Sequence, residues 1–452
     1  MTIEGLFKAE QPVVPRRGVH LDLKGVPPTA RRLVELVEVI AAARYNVILV
    51  EWEDAFPWTV DQRFRSKTAY AAEDIRRLYE AAQKRGITII PLVQCLGHME
   101  TPLSVPGYEH LREVPDEPAV LNPLAPGAQE LVQRMVDDVL NVIPEVRYFH
   151  LGGDEAGTFG THPDTKAYIA RHGKGALYLR HIGPILDRLN ARGIRPILWH
   201  DMMINWDSAA LRALAPRSDL MVWGYSGNPD TTVHHFNTRY IQRFSEHGLT
   251  LWGATAYKGA DGQSVDRPNL ARRQENAEAW MPMARRFGLA GVIATGWSRY
   301  STRCLQCEPI DAALDSLVNI GVVLHDGQAP LGGVAAFVGA LDAMGEGARF
   351  RDCRAAMQLL TAVRQNGWQE CQALRELNVL HRMDPQRTGA NAARQALSYL
   401  GNIMGTGEEA EGKVRQAFAG LIEPLWIEEY LKTRLAPLRD EFANVTRAWK
   451  PE

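Results

Sequence analysis

Cysteine is scarce. The 452-residue chain carries five, at Cys95, Cys304, Cys307, Cys353 and Cys371. An odd, scattered set excludes a disulfide framework and suits reduced thiols, so a cytoplasmic setting is expected. Cys304-Leu305-Gln306-Cys307 is a lone C-x-x-C without the second ligand pair of a structural zinc site, and no metal is expected. An excess of one charge is also missing. With 51 basic and 53 acidic side chains the net charge is −2, too weak a field to argue for nucleic acid or a membrane surface. Long hydrophobic runs are absent. The best stretch, Val34 to Val50, is broken by Glu35, Glu38 and Arg44, so no membrane span is expected. The opening MTIEGLFKAEQPVVPRRG has no basic segment followed by an apolar core, so no signal peptide is expected. There is no low-complexity tract and no sustained heptad.

What is there reads as an ordinary globular enzyme, 46% apolar and 23% charged. From Arg17 to about Gly327 one unit recurs. A short apolar strand ends in polar or aromatic residues, a helix follows, and a glycine stops it. The spacing predicts strands at Gly18–Leu23, Asn46–Glu51, Ile87–Val93, Arg147–Gly152, Ile194–Trp199, Asp219–Trp223, Leu249–Ala254 and Ala290–Thr295. Most lack period-two alternation and read as buried on both faces, as parallel strands do. Gly86, Gly193, Gly248 and Gly288 each precede a strand-opening aliphatic and act as helix stops. Pro27-Pro28-Thr29 opens the first helix, with Leu33, Leu36, Val37 and Ile40 on one face, and Pro309 opens the eighth. Eight such units argue for an α/β fold, a (β/α)8 TIM barrel, over residues 1–330. An open doubly wound sheet would need a Gly-rich phosphate turn after its first strand, and Lys24-Gly25-Val26-Pro27-Pro28 is not one. Residues 331–452 lose the strand signals and form a C-terminal all-helical extension. Helices are predicted at Arg351–Leu380, Asn391–Met404, Glu411–Arg434 and Pro437–Trp449. Their apolar stripes, such as Ala356, Leu359, Leu360 and Val363, suit packing on the barrel, on each other or in a homodimer.

Barrel enzymes place their chemistry at the carboxyl ends of the strands. Those ends carry His20-Leu21-Asp22, Glu51-Trp52-Glu53-Asp54, Gln94 to Glu100 with His98 between, Asp154-Glu155, Trp199-His200-Asp201, Trp223-Gly224-Tyr225, Trp252, and Trp297-Ser298-Arg299-Tyr300. Five of the eleven tryptophans fall on one rim. Trp is bulky and its N–H needs a partner, so an aromatic cup rimmed by carboxylates fits a sugar ring. The centre is the fourth strand, Tyr148-Phe149-His150-Leu151-Gly152-Gly153-Asp154-Glu155. On a regular strand adjacent side chains face opposite ways. Two glycines just before the acids let the chain leave that geometry, so Asp154 and Glu155 can serve one site. The set His20, His98, His150 and His200 imitates a metal-dependent amidohydrolase barrel, but that class needs a close pair of histidines on its first strand. His234-His235 lies in a connection with no matching set.

His150-Leu151-Gly152-Gly153-Asp154-Glu155 resembles the HxGGDE signature of family 20 glycoside hydrolases, the β-N-acetylhexosaminidases. Supporting matches are Arg17 five residues before Asp22, Gly97-His98, Trp199, Trp223 with Tyr225, and Trp297. The segments Val19–Gly25, Glu53–Pro57 and Gly296–Tyr300 resemble the hexosaminidase D-like branch. The likeness covers roughly residues 15–326. About sixteen residues precede the first strand, where many family members carry a further α/β domain.

The resemblance implies substrate-assisted hydrolysis of terminal β-linked GlcNAc or GalNAc, without a cofactor. The sugar's own 2-acetamido oxygen attacks the anomeric carbon and forms an oxazolinium ion. Glu155 serves as acid and then base, Asp154 holds the acetamido N–H, and Tyr225 aims the acetamido oxygen. Arg17 and Asp22 are expected at the sugar hydroxyls, with Trp199, Trp223, Trp252 and Trp297 around the ring. His98 is a relay, backed by Glu53, Asp54 and His150. The tryptophan cup and Asp154 are expected to raise the pKa of Glu155. The expected partner is an oligosaccharide or glycoconjugate with a terminal N-acetylhexosamine, not nucleic acid or membrane. Two alternatives stay open: a two-carboxylate glycosidase with Asp201 or Glu53 as nucleophile, and a silent sugar-binding barrel.

Overall fold

Eight parallel strands close on themselves in chain order in a computed structural model, which describes residues 2–448 apart from 144, 263–264, 303, 331, 387 and 389. They are β1 (Arg17–Asp22), β2 (Val47–Glu51), β3 (Thr88–Leu92), β4 (Tyr148–His150), β5 (Arg195–Trp199), β6 (Asp219–Trp223), β7 (Leu251–Lys258) and β8 (Val292–Gly296). Closure is made where β1 pairs with β8, Gly18 opposite Ile293. Along β2, Val47 and Leu49 point into the barrel, where they meet Ile90, Leu92, Ile197, Met221 and Ile293. Ile48 and Val50 point outward into the layer beneath the helices. Both faces are buried, which is why the strands read as unbroken apolar runs.

The barrel helices are α1 (Ala30–Ala42), α2 (Ala72–Lys84), α3 (Ala128–Val142), α4 (Lys174–Ala191), α5 (Ser208–Leu214), α6 (Thr238–Glu246), α7 (Leu270–Phe287) and α8 (Leu314–Asp326). Thr29 caps α1 by accepting the Arg32 N–H at 3.3 Å, and Leu33, Leu36, Val37 and Ile40 are its buried face. The four expected stop glycines all take left-handed backbone.

Two features of the barrel depart from expectation. β7 continues to Lys258, four residues past its predicted end, because Thr255, Ala256 and Tyr257 are as buried as the residues before them. A two-stranded hairpin, Arg112–Val114 with Glu117–Leu121, rises from the β3–β4 connection.

The tail is α9 (Gly333–Ala343), α10 (Gly347–Met383), α11 (Ala390–Ala417) and α12 (Pro424–Ala448). The predicted helix Glu411–Arg434 is two helices, broken between Ala417 and Pro424. Pro437, expected to open a helix, lies inside α12, where buried Leu435 and Leu438 anchor the turns on either side. Leu331 and Trp449, predicted ends of the tail and its last helix, lie outside the described residues. Ala356, Leu360 and Val363 pack with α11, α12 and two barrel residues, Val26 and Ala312.

Polar groups pin the tail to the barrel. Asp266, after β7, accepts from Arg434 Nε at 2.9 Å, Tyr430 Oη at 2.6 Å, Arg364 Nη1 at 2.8 Å and Thr361 Oγ1 at 2.9 Å. Arg32 of α1 bridges Asp311 at 2.7 Å and Glu346 at 2.8 Å. Arg299, after β8, pairs with Glu429 of α12. Among the described residues no helix is long and apolar enough to cross a membrane.

Candidate active site

The backbone leaves β4 through Gly152 and Gly153, at φ 58° and 82°. Their N–H groups donate to His150 Nδ1 at 2.9 Å and Gln94 Oε1 at 3.2 Å. The hydroxyl of Tyr178 donates to the Gly153 carbonyl at 3.0 Å. Released from the strand, Asp154 and Glu155 turn to the same side. His98 meets both: its Nε2 lies 3.6 Å from Asp154 Oδ2 and 3.4 Å from Glu155 Oε2. Gly97 makes this approach possible, since a Cβ there would stand 1.9 Å from the Asp154 carbonyl oxygen. Glu53, His98 and Glu155 adopt left-handed backbone at φ 46°, 54° and 47°. For non-glycine residues that costs about 1–3 kcal/mol each and concentrates at functional sites.

The two acids differ. The Asp154 side chain is 7% exposed and its Oδ1 is buried without a hydrogen-bond partner. The Glu155 side chain is 54% exposed. The hydrogen bond from His98 outweighs burial and holds the Glu155 carboxyl below its ordinary pKa. This corrects the expectation of a raised value: the Glu155 side chain is half exposed and bonded to His98 instead of enclosed by the tryptophans. Desolvation would lower His98, but Asp154 and the bonds to both acids hold it well above its ordinary value. Glu53 accepts from Thr101 Oγ1 at 3.0 Å. It lines, with His98, a cavity of about 20 Å³, room for one water. Burial raises Glu53 to about 8 and Asp54 to about 6. His150, pushed down to about 3 by burial, is neutral and props the turn.

The acids open onto a cleft of about 380 Å³ lined by His98, Trp223, Tyr225, Ser226, His234, His235, Phe236, Trp297 and Tyr300, among others. Trp223 stacks on Tyr225 at 5.3 Å and 21°, and Tyr225 lies 6.1 Å from Trp297. Burial, then Asp154, raises the Tyr225 phenol well above its ordinary value, so it remains a donor. Trp199 is fully buried beneath this wall, 4.4 Å from His150 and 6.1 Å from Trp297.

Three expected contacts are elsewhere. Arg17 is the first residue of β1, at the opposite end of the barrel. Its guanidinium donates to the carbonyls of Val14 and Arg44, at 2.8 Å each. Trp252 is the second residue of β7, fully buried near the same end, and donates to Asp219 Oδ2 at 3.0 Å. Asp22 ties β1 to the loop after β8 by accepting the N–H groups of Lys24, Ser298 and Arg299 at 2.9, 2.8 and 3.2 Å. Trp52, also counted on the rim, is buried against Phe56 and Tyr70.

Sequence reading gave other groups no specific contact. Asp201 accepts the Glu155 N–H at 2.9 Å and Trp223 Nε1 at 3.2 Å. His235, dismissed as part of a connection, packs on Trp223 with ring centroids 4.0 Å apart. Only its place beside an aromatic strand end hinted at this. Glu51 gathers Lys24 at 2.6 Å, Gln94 at 3.2 Å and His20 at 3.3 Å under the floor. Among the described residues, one group has metal-ligand spacing: His98, Asp154 and Glu155, with ligand atoms within 4.8 Å of one another.

A closed parallel barrel whose carboxyl mouth holds two adjacent acids, a histidine between them and an aromatic wall has the equipment of a glycoside hydrolase. The chain belongs to glycosyl hydrolase family 20, whose catalytic-domain model matches residues 15–241. It is similar to hexosaminidase D of Homo sapiens, 33% identical over 312 residues, covering 67% of this chain and 64% of the human protein. Hexosaminidase D of Bos taurus is 32% identical over 321 residues, 68% of this chain and 92% of the bovine one. The fold is shared with the chitobiase of Flavobacterium johnsoniae, at a TM-score of 0.55 and 14% identity over 98% of this chain and 74% of that one. A β-N-acetylhexosaminidase from Bacteroides fragilis gives 0.54 and 16% over 76% and 75%.

Proposed function

We propose that this chain is an exo-β-N-acetylhexosaminidase that removes terminal β-linked GlcNAc or GalNAc with retention, using the substrate's acetamido group as nucleophile. One observation carries the reading. Among the described residues that line the cleft, the only carboxylates are Asp154 and Glu155, neighbours on one turn. A retaining enzyme with its own nucleophile sets two carboxyls across the scissile bond, about 5–5.5 Å apart. No lining carboxylate faces this pair, which supports a nucleophile carried by the substrate, and family 20 is among the known exceptions to the two-carboxylate scheme. The hexosaminidase D relatives support the same substrate class.

In this reading Glu155 protonates the glycosidic oxygen as the acetamido oxygen attacks, then deprotonates the water that opens the oxazolinium ion. Its proton comes from His98, whose Nε2 is 3.4 Å away. Glu53 lines, with His98, the small cavity behind it. The unpartnered Asp154 Oδ1 accepts the acetamido N–H and offsets the positive charge that grows there. Tyr225 donates to the acetamido oxygen, and Trp223 and Trp297 wall the pocket, with buried Trp199 supporting them from beneath. Residues 1–330 form the catalytic unit and the helices after them its cover. Exposed Trp368, Leu380 and Met383 on α10 support a homodimer through that cover. The cysteine pattern supports a cytoplasmic setting.

Asp154→Asn tests the division of roles. Because Asp154 acts as charge develops, kcat should fall by at least about a hundredfold with KM near wild type. Near-wild-type kcat would remove Asp154 from the mechanism.

A further inference from the structure

Asp201 follows β5 and is absent from the lining of the cleft, yet both of its oxygens are engaged toward it. Oδ2 accepts the Glu155 N–H at 2.9 Å and Oδ1 accepts Trp223 Nε1 at 3.2 Å. The first bond fixes a residue whose backbone is left-handed at φ 47°, a conformation that needs an external restraint. The second fixes the indole that stacks on Tyr225. Nearby, the Trp199 N–H donates to the Gly152 carbonyl at 3.1 Å, so β5 and the β4 turn are already in register. A single carboxylate therefore connects the turn bearing the acids to the aromatic wall.

We propose that Asp201 is a positioning residue: it sets the proton donor Glu155 against the sugar-binding wall, so that the carboxyl meets the leaving oxygen of a sugar seated on Trp223 and Tyr225. The assignment rests on the glycosidase reading above. It also removes Asp201 as a nucleophile, because both oxygens are held by donors from the protein. The isosteric amide cannot replace it. Asparagine offers one oxygen and one NH2, so either Glu155 N–H or Trp223 Nε1 would face a donor.

The test is kcat/KM of wild type, Asp201→Asn and Asp201→Ser on aryl β-N-acetylglucosaminides of graded leaving-group pKa, with thermal unfolding of each. A displaced proton donor penalises poor leaving groups selectively. Asp201→Asn should lose about a hundredfold on the poorest and far less on 2,4-dinitrophenolate, with a steeper leaving-group slope and near-wild-type melting. Asp201→Ser should behave alike. A loss equal across the series, an unchanged slope, or unfolding of both variants would make Asp201 merely structural and overturn the proposal. If wild type cleaves none of the series, the glycosidase reading itself fails. If wild type cleaves and the variants show no selective loss, only the assignment of Asp201 fails.

Discussion

In the proposed mechanism His98 and Glu155 act as one proton-carrying unit. The imidazole sits well above its ordinary pKa because Asp154 first, and then the bond to Glu155 at 3.4 Å, stabilise its charge; the carboxyl of Glu155 sits below because His98 donates to it. Cleavage needs one proton on the pair, delivered to Glu155 when the leaving oxygen arrives. In kcat/KM, which reports the free enzyme, the acid limb should lie below the ordinary carboxylate value of 4.5, where the pair gains a second proton. The alkaline limb should lie above the ordinary histidine value of 6.5, where the pair loses its only proton. In His98→Asn the carboxyl keeps only its own proton, so the alkaline limb should fall toward 4.5 and the optimum become acidic. An alkaline limb unmoved by that substitution would contradict the shared proton. The adjacent acids were legible from residue types alone. The inverted pKa of Glu155 was not, because it depends on a histidine 57 positions away, reached through the close approach at Gly97.

At the scale of elements, the β4 turn organises the site. Gly153 combines φ 82° with a packed flank: a Cβ there would stand 2.1 Å from the Tyr178 hydroxyl. Gly153→Ala should cost about 1–2 kcal/mol for the left-handed backbone alone, with the displacement of Tyr178 added. Calorimetry should show a lower Tm, and activity should be lost with it. Unchanged Tm and rate would mean that the turn can be built another way. All eight strands were readable as short apolar runs, four of them also marked by a helix-stop glycine just before. Their ends were less so. β7 is buried on both faces throughout, so no change in polarity marked where it stopped. Trp252 was therefore assigned to the rim when it belongs near the opposite end. Arg17 misled for a related reason, since a resemblance along one strand does not fix which end a long side chain serves. The break before Pro424 was hidden because apolar spacing continues across it.

At the scale of the molecule, the helices grip the catalytic side of the barrel. Asp266 and Arg299 lie in the loops after β7 and β8, and their partners lie on α10 and α12. The buried Arg434 is held by Asp266, and removing one partner of such a pair costs about 3–5 kcal/mol, so the cover is integral to the rim loops. The helical character of this region was evident in the sequence. Its attachment was not, because ion pairs between residues 98 to 168 positions apart leave no local pattern. The central claim remains the source of the nucleophile, and one comparison reaches it directly: hydrolysis by this protein of 4-nitrophenyl β-N-acetylglucosaminide and 4-nitrophenyl β-glucoside side by side. The two differ only at the acetamido group. Rapid release from the first and background release from the second is the expected result; equal rates on both would contradict a nucleophile supplied by the substrate.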